Sequence, residues 1–577
     1  MTHQHKQKSN SLQSRRLRTL VGFIFVFGFV LIYRLADLQI YQSQELRASA
    51  VSQHSTVRTL PAARGKIFYG GVSSSEEYAL ATNRAFKHVY IVPQDIENTE
   101  QAFTVLWPLL EENGIDEETL RHRLSKKNDI YEPLASKLTD TELEQFTSLN
   151  LAGLGWEDET WRYYPEVDTL SHVLGFVGMR DGERVGQYGL EGYFEEDLSG
   201  VSGILEGDTD INGRLIQTGY RRRIDPQQGV DLVLTVDRTI QAFACNKLVE
   251  YVEAFESVGG TIIIVDPNSG AVLTMCSVPS FTPNTYNEVE DISIYMNPAI
   301  SIVYEPGSVF KPITMAAAID NNNVTPETTY IDEGKVEIGK YTIRNSDGKA
   351  SGEVDMITLL NESLNTGAIF VQREMGKDQF RDYVHKFGFG RTTDIELGSE
   401  LSGDVSSLDK RGDIFAATAS YGQGITATPL QLVMAYAALA NEGKLMRPYI
   451  IKETRNNGSI AVTEPVVVEE PISLRASTII SAMMVSVIRD GHAKSAGVDG
   501  YFIAGKTGTA QVAEEGEYGE STIHTFAGFG PIDNPEFAMV VKIDRPTYGI
   551  YAASTAAPVF GEIAKFMLQY LEVPPDE

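Results

Sequence analysis

Tyr304-Glu305-Pro306-Gly307-Ser308-Val309-Phe310-Lys311-Pro312 sets a hydroxyl and an amine three residues apart at the start of an apolar run. Pro306-Gly307 is a turn signal, and the run from Ser308 to Asp320 (SVFKPITMAAAID) is rich in Ala, Met and Ile, so a helix is expected to begin at Ser308. Pro312 is compatible with this, because a proline in the first turn removes an amide that has no helical partner. At i, i+3 spacing the two side chains share a face, which lets the Lys311 amine reach the Ser308 oxygen as a base reaches its nucleophile. The tetrad alone also fits a Ser308 helix cap beside a solvated Lys311.

Two further stretches bear on that choice. Asn361-Glu362-Ser363-Leu364-Asn365-Thr366-Gly367 lies between helical segments, and its simplest reading is a polar turn. Gly505-Lys506-Thr507-Gly508-Thr509 is a small-residue strand with one charge, which by itself reads as an edge strand guarded by lysine. Taken in order in one chain, S-x-x-K, S-x-N and K-T-G form a joint signal for acyl transfer through serine.

Around these motifs the pattern is strands, then helices, then strands. A strand is expected over Val230–Asp237 and a helix over Thr239–Ala254. Gly260–Met275 reads as a hairpin about Pro267-Asn268-Ser269-Gly270. A second hairpin joins His524–Phe529 to Phe537–Ile543 about Asp533-Asn534-Pro535, and a helix over Val559–Leu571 closes the chain. This order implies an α+β domain over 229–577, an antiparallel sheet flanked by helices. Residues 41–228 mix strand-like runs such as Lys87–Val92 with helical stretches at Thr99–Glu112, Glu117–Leu124 and Asp140–Leu149. No catalytic constellation stands out there, so the region is expected to be a mixed α/β non-catalytic pedestal.

The net charge of −29 argues against a nucleic-acid partner, which needs concentrated Lys and Arg. The N-terminus is the exception, with Lys6, Lys8, Arg15, Arg16 and Arg18 and no acidic residue before Thr19. The apolar run Leu20–Tyr33 is short for a hydrocarbon core of roughly 30 Å. Leu35, Ala36, Leu38 and Ile40 extend it, with Arg34 snorkelling and Asp37 in pairing reach. The expectation is a cytoplasmic tail at 1–18, a single transmembrane anchor at 19–40 and an extracytoplasmic remainder. A cleaved signal peptide is the competing reading, although the small-residue pattern Ala48-Ser49-Ala50 falls well past the apolar run. Cys245 and Cys276 are expected as buried thiols, with pairing left open, and neither has Cys or His at ligand spacing, so no metal or cofactor is expected.

With these residues in view the chain resembles the class B penicillin-binding proteins, the membrane-anchored peptidoglycan D,D-transpeptidases. Beyond the three motifs, the likeness rests on Tyr421-Gly422-Gln423-Gly424 with Thr428-Pro429-Leu430-Gln431-Leu432, and on Ala504–Gln511 (AGKTGTAQ). It extends to Arg34-Leu35 with Leu38-Gln39, Arg64-Gly65-Lys66-Ile67 and Gly189-Leu190-Glu191-Gly192. One departure follows Arg64-Gly65, where an Asp-Arg-Asn-Gly type turn is usual and Phe68-Tyr69-Gly70-Gly71-Val72-Ser73-Ser74-Ser75 stands instead.

The resemblance implies that Ser308 is acylated by the penultimate D-Ala of a stem peptide and, in the same way, by β-lactams. It implies Lys311 as base, Ser363 as proton relay, Asn365 as holder of the Lys311 amine or the substrate amide, and an oxyanion hole from the amides of Ser308 and Thr509. Lys506, Thr507 and Thr509 would take the terminal carboxylate, with Gly505 and Gly508 leaving room for a substrate strand. The implied partner is a SEDS-family glycan polymerase with other divisome membrane proteins, in a division-type rather than elongation-type role. The alternatives are a carboxypeptidase or β-lactamase-like hydrolase, or an acylated sensor. The chain has no E-x-x-L-N loop for activating a deacylating water, and an eighteen-residue tail gives a sensor little room for a signalling region.

Overall fold

The computed structural model describes residues 4–46, 55–71, 78–111, 114–166, 169–208, 221–514, 517–549 and 551–576. Ala48-Ser49-Ala50 and Val72-Ser73-Ser74-Ser75, noted above, lie outside the described residues. The chain divides into two compact units, one of 1–62 with 200–227 and one of 63–199 with 228–577.

The first unit contains the helix Gln4–Ala36 and a three-stranded antiparallel sheet of Ser55–Leu60, Gly203–Asp208 and Arg221–Ile224, with Gly203–Asp208 central. Residues 15–41 are long and apolar enough to cross a membrane. The expected pairing is present, since Arg34 binds Asp37, and Gln42 Nε2 donates to the same carboxylate at 2.9 Å.

The second unit is built on a five-stranded antiparallel sheet. Its strands are β1 (Gly259–Val265), β2 (Val272–Val278), β3 (Ala504–Glu514), β4 (Glu517–Gly530) and β5 (Phe537–Asp544), in the spatial order β2-β1-β5-β4-β3. Both expected hairpins are therefore present, and among the described strands the K-T-G strand β3 is an edge. β1 is buried along its whole length, so it is covered on both faces, as its unbroken Ile and Val run requires. The helices of this unit include α1 (Arg238–Ala254), α2 (Lys311–Asp320), α3 (Asn365–Met375), α4 (Pro429–Ala440), α5 (Leu474–Arg489) and α6 (Ala556–Tyr570). Asp237 caps α1 by accepting from Thr239 N and Ile240 N, and Thr428 with Gln431 forms a capping box on α4. Gln431 continues inward, donating to the carbonyls of Arg391 and Ser402, which gives Thr428-Pro429-Leu430-Gln431 a structural purpose.

Three expectations are corrected. The strand expected at Val230–Asp237 spans Asp231–Leu234 and does not join the five-stranded sheet. It lies in a seven-stranded sheet, parallel to Ile67–Phe68 and antiparallel to Ile451–Asn456, because alternation identifies a strand without naming its partners. That sheet ties sequence from the expected pedestal to sequence from the expected catalytic region. Cys245 on α1 and Cys276 on β2 form a disulfide rather than two thiols. Packing of α1 on β2 sets their Cα atoms 5.7 Å apart, which a separation of 31 residues does not disclose. Finally, α2 starts at Lys311; Ser308 sits one turn earlier, in a 3-10 turn over Gly307–Phe310.

The Arg64-Gly65 and Gly189–Gly192 segments meet. The Glu191 carboxylate is fully buried between Arg64 Nε and Arg162 Nε, each at 2.6 Å, and also accepts from Tyr164 Oη at 3.2 Å. Burial alone would raise this carboxyl, but the two guanidinium groups hold it below the usual range.

Candidate active site

The serine turn is held from several directions. Tyr304 exchanges both backbone hydrogen bonds with Ala427, each at 3.0 Å, and Gly307 N donates to Gly422 O at 3.0 Å. Gly424 N donates to the Glu305 carboxylate at 2.9 Å. At Gly422 the backbone has φ +79°, and a Cβ there would lie 2.2 Å from Gly307 O, so only glycine fits. From below, the buried Tyr436 hydroxyl donates to Val309 O at 2.7 Å. Sequence reasoning missed Tyr436, whose only signal was its place in the apolar pattern of α4.

Lys311 opens α2, a helix buried on all sides down to Ile319. Its side chain is 1% exposed, and its amine donates to both the carbonyl and the hydroxyl of Ser363, the latter at 3.2 Å. Ser363 has φ +56°, an uncommon conformation for a residue with a side chain, and it turns both oxygens to one cation. Burial, with the neighbouring charge of Lys506 added, pushes the Lys311 amine well below the ordinary lysine value. Such an amine is suited to accept a proton from a hydroxyl.

Lys506 on β3 is equally buried, and burial lowers its amine to about 7. Its Nζ lies 3.2 Å from Thr507 O and 3.4 Å from Thr507 Oγ1. Thr509 Oγ1 accepts from Ala552 N at 3.1 Å, which fixes that hydroxyl beside the strand and leaves its own proton to donate. β3 runs directly along the serine turn: a Cβ on Gly508 would come within 3.0 Å of Pro306 O and of Val309 Cγ1.

One expectation for this region is corrected. Asn365 does not hold the Lys311 amine, a task taken by Ser363; its Nδ2 donates instead to Arg344 O at 3.0 Å. Gly505 and Gly508 are also closely packed by protein neighbours. A Cβ on Gly505 would meet the Phe526 ring at 2.5 Å, and Gly508 is filled by the serine turn.

Thus Lys311 and Ser363 are in contact, the Lys506 strand runs along the turn that carries Ser308, and Asn365 lies at the margin. Comparison with known proteins finds two families matched along the chain. Residues 260–565 match the penicillin binding protein transpeptidase domain family, and residues 59–234 match the penicillin-binding protein dimerisation domain family. The chain is 30% identical over 571 residues to "Stage V sporulation protein D" of Bacillus subtilis, covering 97% of this chain and 87% of that protein. It is 29% identical over 616 residues to "Peptidoglycan D,D-transpeptidase MrdA" of Acinetobacter baumannii, covering 96% and 88%. Among solved structures, penicillin binding protein 2X from Streptococcus thermophilus superimposes with a TM-score of 0.72 at 22% identity, covering 89% of this chain and 80% of that one, which establishes the likeness of fold.

Proposed function

The chain belongs to the penicillin-binding protein transpeptidase family, and from that premise we infer that it is a peptidoglycan D,D-transpeptidase whose nucleophile is Ser308. The observation that carries the residue assignment is the buried Lys311 amine, lowered in pKa and held on Ser363 one helical turn from Ser308.

Ser308 Oγ attacks the penultimate D-Ala carbonyl of a donor stem peptide as neutral Lys311 takes its proton. The amides of Ser308 and Thr509 receive the developing oxyanion, the kind of fixed dipole that contributes most to acyl transfer. Lys506, Thr507 and Thr509 bind the terminal carboxylate, and the free edge of β3 lets the peptide add as a strand. The Ser363 hydroxyl, in contact with the Lys311 amine, relays the proton to the departing D-Ala. The acyl-enzyme then passes its acyl group to an amine of a neighbouring stem peptide. A β-lactam acylates the same serine.

The domain assignment follows: a cytoplasmic tail at 1–18, an anchor at 19–40, a pedestal at 41–228 and the transpeptidase domain at 229–577. The five basic residues before Thr19 support a cytoplasmic N-terminus and an extracytoplasmic catalytic domain. The Glu305-Pro306-Gly307-Ser308 turn and Gly422-Gln423-Gly424 support a division-type role, and the anchor and pedestal would join the protein to a SEDS-family polymerase. Septal enrichment of a fluorescent fusion is expected, and uniform side-wall labelling would reverse that part. A labelled penicillin is expected to mark the protein covalently and to fail with Ser308→Ala. Labelling that persists in Ser308→Ala overturns the nucleophile, and release of D-Ala without crosslinked product in the presence of acceptor favours a carboxypeptidase.

A further inference from the structure

Asp332 ends the strand Thr329–Asp332 and is 1% exposed, yet its carboxylate is surrounded by donors. Gly334 N donates at 3.0 Å, Ser351 N at 2.8 Å, Thr366 Oγ1 at 2.7 Å, and Asn345 Nδ2 reaches its two oxygens at 3.1 and 3.0 Å. Burial alone would raise this carboxyl; the donors from Thr366, Gly334, Ser351 and Asn345 hold it below the usual range. Among the described residues it has no ion-pair partner, and such a buried anion is costly to keep, so what it organises matters.

Its donors come from both sides of the Asn365 contact. Thr366 is the residue after Asn365 in the first turn of α3. Asn345 follows Arg344, whose carbonyl receives Asn365 Nδ2. The two are also joined directly, since Asn345 Oδ1 accepts from Thr366 N at 3.2 Å. Gly334 and Ser351 bracket the hairpin Lys335–Ile338/Tyr341–Arg344, whose apolar side (Val336, Ile338, Ile343) packs with Ala368, Ile369 and Tyr421. The carboxylate thus pins the base of the hairpin to the start of α3, two residues beyond the Ser363 that holds the Lys311 amine.

We propose that Asp332, acting through Thr366 and Asn345, is a positioning residue that sets the Ser363–Asn365 loop against the Lys311 amine. This rests on the transpeptidase reading of the site. A plain structural clamp would change how much protein folds without changing what the folded protein does. A positioning residue alters the acylation step itself, where a displacement of about 1 Å costs on the order of a hundredfold.

The experiment compares Thr366→Val, which keeps the shape of the side chain and removes its hydroxyl, with Thr366→Ser, which keeps the hydroxyl. Asp332→Asn is the third variant, and thermal unfolding of the full chain in detergent reports the folded fraction. Acylation by a fluorescent penicillin over a range of concentrations separates the Kd of the first complex from the acylation rate constant. Thr366→Val is expected to lower the rate constant roughly tenfold or more with little change in Kd, and Thr366→Ser to restore it to within about threefold. If Asp332→Asn does not fold, the two Thr366 variants carry the test. Equal rate constants for folded Thr366→Val and the unaltered protein, or a loss confined to Kd, overturn the proposal. Failure of the unaltered protein to label at all would instead remove the transpeptidase reading beneath it.

Discussion

Gly508 lies against Val309 so closely that a Cβ on the glycine would sit 3.0 Å from Val309 Cγ1 and 3.2 Å from Val309 N. The K-T-G strand and the serine turn therefore form one packed object. Val309 follows Ser308, the nucleophile in our reading, and Thr509, which supplies the second oxyanion amide in that reading, is the residue after Gly508. Their spacing sets the distance between the two oxyanion donors.

Gly508→Ala is accordingly expected to push β3 away from the turn by a few tenths of an ångström and to slow acylation. Fixed donors are effective only at hydrogen-bond distance from the oxyanion, so a loss of roughly tenfold to a hundredfold in the acylation rate constant is expected. Stopped-flow mixing with a chromogenic cephalosporin measures it. Acylation at the rate of the unaltered protein would show that this contact does not govern the site.

Glu191→Gln tests the buried charge cluster joining Arg64 to Arg162. Removing the carboxylate leaves the buried Arg162 guanidinium beside a neutral amide, while Arg64 keeps Glu195 at 2.6 Å, a change expected to cost on the order of 3–5 kcal/mol. The sign with pH follows from the lowered carboxyl of Glu191. Its stabilisation is complete above the ordinary glutamate value of about 4.3 and is lost as pH falls through the lowered folded value. The drop in thermal midpoint should therefore be full at neutral pH and shrink only in acid. A difference that grows on acidification would contradict the pairing.

The parts of this molecule legible in sequence are those fixed by local chemistry. Pro267-Asn268-Ser269-Gly270 disclosed the hairpin of β1 and β2, and the Ser308, Ser363 and Lys506 motifs marked the components of the candidate site because each is a short pattern. What stayed hidden depends on partners far along the chain. Asp332 and Asn345 belong to no short pattern that marks them, Thr366 lies in a stretch that reads as a polar turn, and Cys245 meets Cys276 only once α1 lies on β2. The exchange of Asn365 for Ser363 as holder of the Lys311 amine has the same origin. It depends on the positive φ of Ser363, and Ser363-Leu364-Asn365 contains no glycine to announce it.

Lys506→Met separates the two roles of the Lys506 charge. In the unaltered protein both amines are buried, and Lys506 loses its proton near pH 7, whereas an ordinary lysine does so near 10.5. While charged, Lys506 disfavours a second cation on Lys311, which keeps the base neutral. Replacing it with Met removes that repulsion, so the Lys311 value rises, although burial still holds it below normal. At any pH less of the base is then neutral, and the acid limb of the acylation profile should move to higher pH, in addition to any loss of carboxylate binding. Stability changes in the opposite sense. The Lys506 amine binds fewer protons folded than unfolded between about 7 and 10.5, so the unaltered protein gains stability as pH rises through that window. The Met variant lacks this cost, and its thermal midpoint should exceed that of the unaltered protein most at pH 7 and below, with the gap closing toward pH 10.5. An acid limb that stays in place, with a stability gap that does not vary with pH, would mean that the Lys506 charge neither tunes Lys311 nor resists burial.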